Sequence, residues 1–149
     1  MALSRGETVN GKKEGLWITS YANGVKRSEG AYRDGVKHGP WTLYYPNGNK
    51  QSEATFHNGL YTDWYVTYYE NGNKKWEGPY LPITGKASDG RKEGVWNCYS
   101  EKDGTTIWRI ITYKTGARAK PDEHPLGPCS QCGKPIQNPG TDRCPECGG

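Results

Sequence analysis

Five cysteines stand at 98, 129, 132, 144 and 147, and four of them crowd into the last 21 residues. Those four form two pairs, Cys129-x-x-Cys132-Gly and Cys144-Pro-x-Cys147-Gly, with 11 residues between the pairs. Two residues between thiols let both sulfurs turn toward one ion, and a glycine after the second thiol admits the tight turn whose backbone amides donate to sulfur. Four thiolates close a tetrahedral sphere, which suits a structural Zn2+ and leaves no open position for an activated water. Iron in the same cage is disfavoured because no aromatic shell surrounds these thiols. The odd count and the clustering argue against a secreted disulfide framework and for metal in a reducing compartment. Cys98 lies apart in the run Trp96-Asn97-Cys98-Tyr99 and reads as a small apolar residue.

Other residues with chemical potential do not assemble into a catalytic set. His38, His57 and His124 are scattered, and no acid stands at a recognised catalytic spacing from any of them. No phosphate-cradling glycine motif is present. Glu29, Glu53 and Glu77 recur at one fixed interval and read as a solvated ladder paired with Arg27 and Lys75. The expectation is a protein that is not an enzyme, without catalytic residues or a small-molecule substrate. Charge also limits the partners. The formal net charge is +4, and four thiolates with one Zn2+ bring it to +2, too little for a strongly basic polyanion binder.

The elements that must position these residues follow from a repeat. Residues 15–35 align with 39–59 at an offset of 24, and 63–80 follow at the same offset. Trp17, Trp41 and Tyr65 correspond, as do Tyr21, Tyr45 and Tyr69, then Lys26, Lys50 and Lys74. A fourth, degenerate copy follows Asp89-Gly90 after seven inserted residues in LPITGKAS. Asn-Gly or Asp-Gly pairs at 10, 23, 34, 47, 58, 71, 89 and 103 mark the turns, because both central residues of a two-residue hairpin turn need positive φ. One repeat is thus two strands and two turns, and the chain predicts an all-β, elongated, single-layer antiparallel meander of about eight strands. It breaks near 81–88.

Two-residue turns allow the faces to be assigned by parity. One face carries Trp17, Tyr21, Tyr32, Trp41, Leu43, Tyr45, Phe56, Tyr65, Tyr69, Trp76 and Tyr80, and the other carries Ser20, Arg27, Glu29, Thr42, Gln51, Glu53, Lys75 and Glu77. Trp17 faces Gly30 and Tyr65 faces Gly78, so a small residue across the hairpin admits each ring. Leu, Ile, Val and Phe together number only 18 of 149 residues, and no segment has the 3.6-residue period of a covering helix. The ring face is therefore covered by the stems of Lys26, Lys50 and Lys74, by the chain itself, or by a partner.

Gly39, Trp41, Tyr44-Tyr45, Asn47-Gly48, Lys50 and Glu53, with Asp34-Gly35-Val36-Lys37-His38-Gly39 ahead of them, resemble the variant MORN repeat of bacterial YwqK-type antitoxin proteins. The resemblance covers residues 10 to about 118. It implies a run of β-hairpins whose role is binding or scaffolding, possessed in that family of a toxin-neutralising label. Asp63 in place of glycine and Tyr65 in place of tryptophan depart from the pattern. The organisation expected is a repeat unit over 1–118 (copies at about 10–33, 34–57, 58–88 and 89–118), a proline-rich linker over 119–128, and a unit over 129–149 that resembles a minimal zinc ribbon. Its metal ligands would be Cys129, Cys132, Cys144 and Cys147. Protein is the partner expected, docked on Trp17, Tyr21, Trp41, Tyr45, Tyr65, Tyr69 and Trp76, because tyrosine and tryptophan dominate such interfaces. Nucleic acid bound through the ribbon and the rings is the alternative, followed by anionic lipid. No apolar run approaches the roughly 18 residues of a membrane span, and the opening MALSRGETVNGKKEG has no apolar signal core, so the expected location is cytoplasmic.

Overall fold

The computed structural model describes residues 3–118; the linker and all four clustered cysteines lie outside the described residues. Ten strands form one open sheet in chain order: β1 (Leu3–Val9), β2 (Lys12–Ser20), β3 (Lys26–Arg33), β4 (Val36–Tyr44), β5 (Lys50–His57), β6 (Leu60–Tyr68), β7 (Lys74–Tyr80), β8 (Gly94–Tyr99), β9 (Ile107–Lys114) and β10 (Ala117–Arg118). Every neighbouring pair is antiparallel, and the described residues contain no helix. The meander of about eight strands expected corresponds to β2 to β9, and β1 and the two-residue β10 extend the sheet at its ends. The interruption falls between Tyr80 and Gly94, as the seven-residue insertion requires.

Asn-Gly and Asp-Gly make two different turns here. At one end of the strands, Asn10-Gly11, Asp34-Gly35 and Asn58-Gly59 have both residues at positive φ, from 48° to 85°, and close two-residue turns such as Arg33↔Val36. At the other end, Gly24, Gly48 and Gly72 alone are at positive φ, and five residues separate the last strand pair, as with Tyr44↔Lys50. There Gly48 N–H donates to the Tyr45 carbonyl at 2.9 Å and Tyr45 N–H to the Asn49 carbonyl at 2.8 Å. Pro46 gives the reason in copy two. A two-residue turn on Asn47-Gly48 would need an N–H at position 46, and proline has none.

The longer turn carries a bulge that overturns part of the parity assignment. Leu43↔Ser52 is followed by Tyr44↔Lys50, so Gln51 is an extra residue, and Arg27 and Lys75 are extra in the same way. One extra residue reverses the side on which its neighbours project. Arg27 and Lys75 accordingly join the ring face, over Tyr21 at 5.7 Å and Tyr69 at 5.2 Å. Lys26, Lys50 and Lys74 move to the opposite face, away from the rings they were expected to cover. The rest of the ring face stands as assigned: Trp17 meets Tyr32 edge-on at 6.1 Å, and Tyr32 meets Trp41 at 5.0 Å.

A second irregularity repeats at Gly15, Gly39, Asp63 and Gly94, all at φ between 60° and 77°. Gly30↔Trp41 is followed by Ala31↔His38, so Gly39 and Pro40 swell out of β4. The swelling drops the Trp41 indole back across β3, the preceding strand. A Cβ built on Gly30 would lie 2.2 Å from that indole, and Gly6 under Trp17 and Gly78 under Trp96 would each meet it at 2.3 Å. The small residue that admits each tryptophan thus lies on the strand before it, not on the hairpin partner after it. Each indole N–H then donates to the carbonyl just after the glycine, at Glu7, Ala31 and Pro79, at 3.0–3.1 Å. In copy three the ring is Tyr65 and the residue in the glycine's place is Ala54, which lies in the central cluster with Trp41 and Phe56.

Candidate functional site

The repeat stacks its polar groups into three ladders. On the face opposite the rings, Lys26, Lys50 and Lys74 reach Glu29, Glu53 and Glu77 at 2.7, 2.6 and 2.9 Å. Each carboxylate also accepts a phenol from the next copy, from Tyr44 at 2.5 Å, Tyr68 at 2.6 Å and Tyr99. The lysines here are the (i,i+3) neighbours made possible by the bulge, which replaces the expected pairing with Arg27 and Lys75. The Lys26 ammonium and the Tyr44 hydroxyl hold Glu29 below the usual carboxylate range, and Lys50 and Tyr68 do the same to Glu53. Burial works against the ionised Glu77, yet Tyr99, Lys74 and Trp64 together lower it as well. The phenols respond in the other sense, and the bond to Glu29 pushes Tyr44 up to about 12. Carboxylates so fully engaged are a structural ladder, one per repeat.

The second ladder joins the long turns. Tyr21, Tyr45 and Tyr69 donate their hydroxyls to the carbonyls of Tyr44, Tyr68 and Tyr99 at 2.7–3.0 Å. Asn23, Asn47 and Asn71 donate to the carbonyls of Pro46, Glu70 and Glu101 at 2.8–3.1 Å. Every turn is thereby tied to the one after it.

The third ladder was missed in the sequence. Lys13, Lys37 and Lys92 place their ammonium groups over Trp17, Trp41 and Trp96 at 4.3–4.6 Å. Their signal was present as the lysine of Asp-Gly-x-Lys-x-Gly at 34–39 and 89–94 and of Asn-Gly-Lys-Lys at 10–13. Copy three has Tyr61 in that position, and Tyr61 packs on Phe56 at 4.6 Å and on Tyr80 at 4.9 Å. A continuous run of ring contacts therefore crosses the sheet from Trp17 to Tyr113.

Against this geometry the seven expected docking residues divide. Trp41 is buried in the central cluster. Trp17 and Tyr65 are half-buried members of the ring run, and Tyr21, Tyr45 and Tyr69 are half-buried and committed through their hydroxyls. Trp76 is half-buried, paired with Thr67 on one side and Cys98 on the other, and lines two shallow grooves on the ring face. It is the member best placed to meet another molecule. Cys98 is 1% exposed, and burial pushes its thiol up to about 12, as fits the small apolar role expected of it. His38 and His57, which looked scattered, face each other across β4 and β5 with ring centroids 5.2 Å apart. Among the described residues no three potential ligands group to hold a metal.

No curated protein matches the chain in sequence. A family described as the MORN repeat variant matches residues 37–58, the stretch that holds Lys37, Trp41, the Asn47-Gly48 turn and Glu53. Residues 37–58 of the chain are thus a MORN repeat variant, and the ladders above carry the same geometry into the copies on either side.

Proposed function

We propose that the chain is a non-enzymatic protein-binding or scaffold module of the YwqK antitoxin-like kind, acting in the cytoplasm. The observation that carries this reading is the run of aromatic rings along one side of a single-layer sheet that has no second layer among the described residues. MORN repeats generally bind proteins or lipids. Protein is favoured over anionic lipid because Lys26, Lys50 and Lys74, the row that suggested lipid, are each paired with a glutamate three residues on. The reading assigns no catalysis, in keeping with carboxylates that serve the ladder. Cys129, Cys132, Cys144 and Cys147 would hold one structural Zn2+, and the unit they close would be a second clamp on the same partner.

Affinity capture of the tagged full chain from its native host, with and without chelator, tests this reading. The expected result is a protein partner retained in roughly equal amount to the bait and weakened by chelation. Recovery of nuclease-sensitive material or of lipid alone would contradict it.

A further inference from the structure

The strand at one end of the open sheet is β1. Among the described residues it pairs with β2 alone, and all seven of its residues are exposed, Leu3 at 67% and Val9 at 54%. Sheet edges are commonly blunted by lysine, by proline or by a bulge in the edge strand itself. β1 holds neither lysine nor proline, and the extra residues opposite Gly6 belong to β2. Its two charges, Arg5 and Glu7, are of opposite sign, and neither side chain has an ion pair among the described residues. Outward from Gly6, the run Leu3-Ser4-Arg5-Gly6-Glu7-Thr8-Val9 mirrors itself in kind: opposite charges, then hydroxyls, then apolar side chains. A second copy of the strand laid antiparallel across Gly6 therefore sets Arg5 against Glu7, Ser4 against Thr8 and Leu3 against Val9, each pair formed twice.

The backbone fits the same register. Val9↔Lys12 closes the two-residue turn at Asn10-Gly11 and is for that reason a hydrogen-bonded pair, so by alternation Ser4, Gly6 and Thr8 turn their N–H and C=O groups outward. With Gly6 on Gly6, those residues form the hydrogen-bonded pairs of the junction. Arg5 and Glu7 then meet in non-hydrogen-bonded pairs, where facing side chains stand closest. Gly6 itself has no side chain to obstruct the approach. We propose that β1 is a homodimerisation edge, which joins two copies of the chain antiparallel through Gly6 into one continuous sheet. The two-fold axis is perpendicular to the sheet, so the ring faces of both copies lie on the same side. This pairing does not depend on what the ring face binds.

Sedimentation equilibrium of the full chain tests the proposal. A seven-residue edge is small beside a standard interface, so association is expected in the micromolar range and is followed from about 5 to 200 µM. The mass should rise toward twice 16.6 kDa and stop there. Arg5→Glu and Glu7→Arg should each weaken association about tenfold or more, because each sets like charges opposite one another in both pairs. Mixed in equal amounts, those two variants should associate with each other as tightly as wild type does with itself, and a chain carrying both substitutions should again form the dimer. Thermal unfolding of each variant reads the fold separately from association. A monomer at every concentration would overturn the proposal, whatever else covers the edge. So would a dimer indifferent to the charge variants, which would use another surface, or failure of the mixed variants to pair. Mass that grows past the dimer would overturn it too, as the mark of head-to-tail joining of the two sheet ends.

Discussion

At position 63 the chain holds an aspartate at φ 60°, where the other copies place Gly15, Gly39 and Gly94. The swelling that lays each aromatic ring back over the preceding strand requires this left-handed backbone, and aspartate tolerates it better than most residues. Asp63→Gly is expected to leave the midpoint of urea unfolding unchanged or raised, whereas Asp63→Val should cost about 1–2 kcal/mol. Equal midpoints for the two variants would contradict this account. The glutamate ladder predicts a pH dependence of definite sign. Glu29, Glu53 and Glu77 are all held below the ordinary value of 4.5, so their contribution is present above that value and is lost as pH falls through the lowered values. The melting temperature should be flat from neutral pH to about pH 5 and then fall. Glutamine at any one of the three should flatten part of the acid limb. An acid limb that keeps its slope when all three are glutamine would show that other groups govern it.

Copy three shows two strands adjusting to each other. Ala54 stands where copies two and four put Gly30 and Gly78 beneath a tryptophan, and the ring above it is the smaller Tyr65. Tyr65→Trp alone should therefore destabilise by about 1–3 kcal/mol through overpacking, and Ala54→Gly in the same chain should restore most of the loss. Chemical denaturation of the four members of that cycle measures the coupling, and additive effects would mean that the two side chains do not share the space. Offset and turn dipeptides were enough to read the antiparallel meander, the place of its break and which rings share one face. The handedness of Arg27, Gln51 and Lys75 was not readable that way. Whether Asn-Gly closes a two-residue or a longer turn depends on Pro46 and on turn-to-turn bonds such as Asn47 to Glu70, which involve the next copy 23 residues on. Parity counted through the wrong turn put the lysines of the glutamate ladder on the wrong face, and so hid Lys13, Lys37 and Lys92 as the cations that cover the tryptophans.

Across the whole molecule, the sheet is held by stitches from each repeat to the next and shows one aromatic face without a second layer among the described residues. The proposed zinc unit rests on its motif alone, and its four cysteines lie outside the described residues. Metal analysis of the purified chain is expected to give one Zn2+ per molecule, lost in Cys144→Ser and retained in Cys98→Ser, whose thiol is protonated at neutral pH. Retention in the first variant, or loss in the second, would refute the ligand set. The ring-face claim has a built-in control, because Trp76 lies on that face while Trp64, 49% exposed, lies on the opposite one with its indole N–H on Glu77. The most direct measurement is partner capture from the native host by wild type, Trp76→Ala and Trp64→Ala chains of matched thermal stability. Docking on the ring face predicts that Trp76→Ala loses the partner and Trp64→Ala keeps it; equal capture by both variants, or loss with Trp64→Ala alone, would contradict it.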